Sequence, residues 1–164
     1  MKAPGSDLSE WAQRCYGQPG VAPALLALQD EGGQDVLLLL VITWLWAQGK
    51  HVPSQHLPRL LDQQRPWQQQ VVSPLRDVRR RLKQHADAHR LYKQVKEVEL
   101  AAELLQLGRL QVWVLEMSAA EAGSLLEQLR ALCAAQLSIE SEHLQVLLQD
   151  YAAAVETAAQ AGFS

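Results

Sequence analysis

The sequence is short of the residues that build sheets and covalent frameworks. Aromatic side chains make up 5% of its 164 residues, with a single Phe, and cysteine occurs only twice. Runs of β-branched and aromatic residues, the mark of strands, are nearly absent, so Leu, Ala and Val must fill the core. Cys15 and Cys133 belong to no spacing motif, which excludes a disulfide framework and leaves two partly buried thiols. No membrane-length apolar run occurs. The longest, Val36 to Ala47, would span about 18 Å as a helix, against the roughly 30 Å of a bilayer core. Residues 1–10 lack the apolar centre of a signal peptide, so a cytoplasmic location is expected. Gly-rich phosphate loops, a nucleophile elbow and Cys-x-x-Cys pairs are also missing, and no cofactor is expected.

What is present is a hydrophobic fraction of 48%, rich in helix formers. The expected fold is an all-α, single-domain helical bundle of six or seven helices over residues 1–164, with sub-bundles 1–66 and 67–164 possible within it. Asp7-Leu8-Ser9-Glu10 reads as a capping box for a first helix with Leu8, Trp11 and Cys15 on one face. A second helix starts near Val21, buries Leu25, Leu26 and Leu28, and stops at Gly32-Gly33. Asp35 caps a third, Val36 to about Gln48, which is apolar all round and therefore central. Residues 50–66, with three prolines, read as a loop holding a short turn near Leu57 to Gln63. From Trp67 to about Ala86 the pattern is helical, and Pro74 either kinks it or follows Ser73 as a new cap. The longest helix runs from His89 to about Glu116. Its Leu91, Val95, Val98, Ala102 and Leu105 step by four and three, as for packing on an antiparallel partner in a long hairpin of the C-terminal half. Ser118 to Glu121 reads as a second capping box, ahead of Leu125, Leu129 and Leu132. A last helix, about Glu140 to Gln160, carries Leu144, Leu147, Tyr151, Val155 and Ala158.

Trp11 and Tyr16-Gly-Gln-Pro-Gly-Val21, then Leu28-Gln-Asp30, Gly33-Gln-Asp35-Val36, Leu38-Leu39-Leu40 and Trp44-Leu45 make up one pattern along the first fifty residues. Together with Pro74-Leu75-Arg76 and Arg79-Arg80, it resembles a family of small all-helical bacterial proteins defined as a domain of unknown function. The resemblance covers roughly residues 8–105. It implies no activity, cofactor or catalytic residue.

Charge is the most informative feature. Residues 59–96 hold ten basic and three acidic residues, +7, while residues 97–164 hold two basic and ten acidic, −8. On a helix Arg76, Arg80 and Lys83 share a face, with Arg79 beside it. Such a face can bind an acidic protein partner or, less readily, phosphate or nucleic acid. It can equally pair with the acidic end of the same chain. The near-neutral pI of 5.9 and the isolation of Tyr92 among these residues weigh against nucleic acid.

Asp30 and Glu31 form a second candidate, because carboxylates at a helix C-terminus oppose the dipole. Either Asp30 caps or pairs with a neighbouring element, for which Arg14 is the candidate, or Gln29 and Asp30 bind a ligand. His85 and His89 sit at a spacing that suits zinc only if both are helical, and polar surface histidines are the expectation. Glu99 and Glu103 are half of a bundle carboxylate site without its histidines, so no metal is expected. The expected function is a non-enzymatic protein-interaction module using Arg76, Arg79, Arg80 and Lys83. The alternatives are a phosphate- or nucleic-acid-binding protein acting through Arg76 to Lys96, and an enzyme with an unfamiliar site near Gln29, Asp30 and the tryptophans Trp44 and Trp46. The chain carries no membrane signal, and its oligomeric state is open.

Overall fold

The computed structural model describes residues 7–120, 123–136 and 141–163. The opening residues read for a signal peptide, Glu121 of the expected capping box and Glu140 lie partly or wholly outside them.

The fold is all-α. Helix α1 (Leu8–Tyr16), α2 (Val21–Asp30) and α3 (Val36–Ala47) are followed by α4 (Leu57–Trp67), α5 (Ser73–Leu82), α6 (His89–Met117), α7 (Leu125–Ala135) and α8 (Glu142–Gln160). Among the described residues the only strands are β1 (Lys50–His51) and β2 (Ala119–Ala120), paired antiparallel. The caps follow from the chain. Asp7 accepts from the Ser9 amide, and Asp35 accepts from the Leu37 and Leu38 amides, each satisfying donors that a first turn leaves without a helical partner. Helix α2 ends where Gly33 adopts a left-handed φ of +62° and the Gln34 amide reaches back to the Leu28 carbonyl at 3.0 Å. A Cβ on Gly32 would stand 2.8 Å from that same carbonyl, so glycine is required there too.

Helix α3 is the centre. Leu37 to Leu45 are buried without interruption, and α1, α2, α6 and α7 pack around them. Thr43, polar and fully buried, donates its hydroxyl to the Leu39 carbonyl and accepts from the Tyr151 hydroxyl at 2.7 Å, so neither group is left dry and unpaired. The core cluster draws on residues from Leu8 to Val155. The expected faces of α1, α7 and α8 are all buried, from Leu8, Trp11 and Cys15 to Tyr151 and Val155. Both thiols are buried, and burial pushes Cys15 up to about 12 and Cys133 up to about 11, so neither is a nucleophile near neutral pH.

Four expectations need correction. Residues 57–82 form one helical rod, not a loop followed by a helix. Helix α4 continues through Pro66, and a π-helical stretch (Gln68–Val72) joins it to α5. Ser73 is helical and caps nothing. In the widened turn just before Pro74 the Ser73 amide donates to the Gln68 carbonyl. Second, α7 is capped by Ser124 with Glu127, in a reciprocal box, and Ser118 is extended. Third, Leu26 is 44% exposed, unlike Leu25 and Leu28. Fourth, the face of α6 with Leu91, Val98 and Leu105 is not its buried one. That face carries Glu99, Ala102, Gln106, Leu107 and Leu110 instead. The long antiparallel pairing is between the 57–82 rod and α6, in the middle of the chain.

Candidate functional site

Antiparallel packing of α5 on α6 sets the arginines of one helix against the glutamates of the other. Arg76 Nε meets Glu99 Oε1 at 3.2 Å, and its Nη2 meets Glu103 Oε1 at 3.1 Å. Arg79 grips Glu99 through both Nε and Nη2. The spacing makes this possible. Arg76 and Arg79 lie one turn apart on α5, as do Glu99 and Glu103 on α6, so the four charged ends meet at one level. Glu99 and Arg76 side chains are 8% and 13% exposed, so this is a shielded quartet rather than a solvated face.

The quartet divides by environment. Burial raises the Glu103 pKa above the usual carboxylate range; Arg76 pulls it back down only in part, and Glu99 beside it adds to the rise. The Glu99 carboxylate holds Arg79 above its ordinary value. Tyr16 is raised as well, first by burial and then by Glu103.

The other candidate pair lies next to this one. Arg80 Nη2 bonds Asp30 Oδ1 at 2.7 Å, which accounts for a carboxylate at the end of α2. Gln29 Nε2 donates to the same oxygen at 3.4 Å, and Glu31 meets His143 at 3.4 Å. Arg80 and Asp30 are each half-exposed, so they form a surface bridge. Three successive arginines thus take three directions: Arg79 to Glu99, Arg80 to Asp30, and Arg81 to solvent. Lys83, beyond the end of α5, is exposed and lines neither cleft described below.

Two clefts adjoin, sharing Gln29 and Arg76. The first, about 550 Å³, is polar and is lined by Asp30, Asp35, Gln68, Asp77 and Arg80 among others. Neither Trp44 nor Trp46 borders it. Asp35 is partly buried at its end, and burial raises its pKa although Gln64 and two backbone amides hydrogen-bond it. From Asp35 a polar chain runs through Gln64, at 2.9 Å, to Gln106, at 2.7 Å. The second cleft, about 720 Å³, is a groove between α1, α2, α3, α5 and α6. Its walls are Leu25, Val36, Leu37, Leu40, Leu104 and Leu107, its rim includes Tyr16, Leu26 and Leu100, and the arginine–glutamate quartet lies in it with Lys96.

The structure therefore joins Gln29, Asp30, Arg76, Arg79 and Arg80 into one region and leaves Lys83 outside it. Sequence reasoning missed the groove itself and the role of Glu99 and Glu103, which hold arginines. The signal was available: two acidic residues one turn apart, on the helix that follows a basic one across a short turn. Among the described residues no cluster of His, Cys, Asp and Glu suits a metal ion. His85 is extended and His89 opens α6, both exposed, with His89 stacked on Tyr92. No described helix is long and apolar enough to cross a membrane.

The chain belongs to the family described as "Protein of unknown function (DUF2390)", which matches residues 7–110. Both clefts lie wholly within that span, and α7 and α8 lie outside it. No curated protein and no solved structure matches the chain.

Proposed function

We propose that the protein is a helical interaction module, and that it docks an apolar segment with acidic neighbours, from a partner protein, into the second cleft. The observation that carries this reading is the rim. Tyr16, Leu26 and Leu100 are exposed large apolar side chains from three different helices, and all line one groove. A contiguous apolar groove on a surface is a docking feature, unlike singly scattered apolar residues. The polar members supply selectivity. Lys96 is exposed at the groove, Arg76 bridges two carboxylates, and burial disfavours the anion of Glu103. A partner carboxylate that replaces Glu103 on Arg76 keeps every guanidinium paired, whereas a basic side chain there meets two arginines.

The same geometry weighs against phosphate or nucleic acid. Arg76, Arg79 and Arg80 already hold carboxylates, and Asp30, Asp35 and Asp77 line the polar cleft. An immobilised library of helical fifteen-residue peptides tests the reading. The binders should combine Leu, Phe or Trp with Asp or Glu one turn away. Leu26→Glu, at an exposed site, should weaken them at least tenfold while leaving the helical spectrum unchanged. Binders rich in Lys and Arg, or indifferent to Leu26→Glu, would overturn it.

A further inference from the structure

Helix α6 keeps one face that no other described residue covers. Leu91, Val98, Leu105 and Val112 are each about half exposed and recur at every seventh position. A stripe buried against a globular core follows the 3.6-residue turn. A seven-residue spacing is the period of two helices lying side by side. The positions three residues further on are Gln94, Ala101, Gly108 and Leu115, all exposed. One seam position is therefore uniformly large, and the other is small at its middle two sites.

Gly108 is a second observation. Glycine inside a helix weakens it relative to alanine. No atom lies within 4 Å of the place its Cβ would take, so nothing in this chain demands it. A backbone approaching from outside would.

We propose that this face binds a second copy of the same chain, with the two α6 helices antiparallel about a twofold axis level with residue 103. In that register Val98 lies opposite the partner's Gly108, Leu105 opposite the partner's Ala101, and Leu91 opposite the partner's Leu115. Each large side chain at the middle of the seam then fills the hollow over a small one. A parallel pair would stack Leu and Val on themselves and leave voids at Ala101 and Gly108. Charge favours the same direction. The first turns of α6 carry Arg90 and Lys93 and the last turn carries Glu116, so the antiparallel pair sets unlike ends and opposed dipoles together. Leu91 to Leu115 spans about 36 Å, and at a helix width of about 10 Å the seam covers roughly 360 Å² per copy. That is a little under half of the ~800 Å² per partner of a standard interface, so the dimer is weak and reversible.

Sedimentation equilibrium of the full chain over a range of concentrations tests this. The expected result is a monomer–dimer equilibrium that Val98→Glu and Leu105→Glu each abolish while the helical spectrum persists. Gly108→Leu, which favours the helix but blocks close approach, should weaken the dimer at least tenfold. Direction is read by cysteine trapping. The double variant Val98→Cys, Gly108→Cys should cross-link under mild oxidation, and Val98→Cys alone should not. A chain that stays monomeric at all concentrations overturns the proposal, as does a dimer indifferent to Val98→Glu or one that Val98→Cys alone cross-links.

Discussion

The helices around α3 and the hairpin of α5 with the first half of α6 are held in opposite ways. Nine consecutive residues of α3 are buried, eight of them apolar. Helix α5 buries none of its residues, and in the first half of α6 only Glu99 and Ala102 are buried. The first region is stabilised by apolar area removed from water, which is non-directional and large in sum. The second is fixed by charged hydrogen bonds. These offset their own desolvation only in good geometry, but they are strict about which atoms meet. One chain thus uses area where it needs stability and arginine–glutamate geometry where it needs a defined cleft wall.

Three measurements can break or sharpen this contrast. The largest effect is expected in α3. Leu39→Ala or Leu40→Ala should cost about 2–5 kcal/mol in chemical denaturation, as large-to-small changes in a core do. If both variants denature with the parent, α3 is not the stabilising centre.

Glu99→Gln should come next. It leaves Arg79 facing a neutral amide and Arg76 with Glu103 alone, at a cost of about 2 kcal/mol. Hydrogen exchange should show the loss concentrated in residues 73–100. Replacing Arg76, Arg79, Glu99 and Glu103 together by Leu, Met, Leu and Gln should recover most of it, because no charge is then left unpaired. A quadruple variant as unstable as Glu99→Gln would show that the pairs contribute net stability.

The smallest effect concerns Glu103 and pH. Its folded-state pKa is raised above the ordinary 4.5. The folded state therefore binds its proton more tightly than the unfolded state does. Stability from this group is fully present below the unfolded value and is lost as pH rises through the raised one. Glu103→Gln removes that loss. The advantage of the variant over the parent should be greater at pH 7 than at pH 4, read from paired denaturation midpoints. A gap that widens toward pH 4 instead would mean that Arg76 outweighs burial.

Much of the architecture was legible because it rests on local rules. Asp7 and Asp35 cap, Gly32 and Gly33 stop, and apolar periodicity of 3.6 residues picks the inner faces of α1, α7 and α8. The stripe of α6 misled, since a seven-residue spacing announces a helical partner without saying whether it is in the same chain. The prolines misled as well. Pro66 lies inside α4 and Pro74 in the first turn of α5, with a π-helical stretch between them, and no sequence rule marks that continuity. Of the site, the arginines and the Gln29–Asp30 turn were visible as oddities of charge. Their fates were not visible.

By itself, the sequence determined the all-helical class, the apolar centre and the segregation of charge, because each follows from residue type and spacing along a few turns. Only the tertiary structure decided that Arg76 and Arg79 turn inward onto Glu99 and Glu103, that Arg80 reaches Asp30 fifty positions away, and that Tyr16, Leu26 and Leu100 share a groove. Those outcomes depend on which helices are neighbours and at what level they pass. A difference of one residue in that level moves a charged end by about 1.5 Å along the axis and about 100° around it, enough to exchange a buried pair for a solvated one.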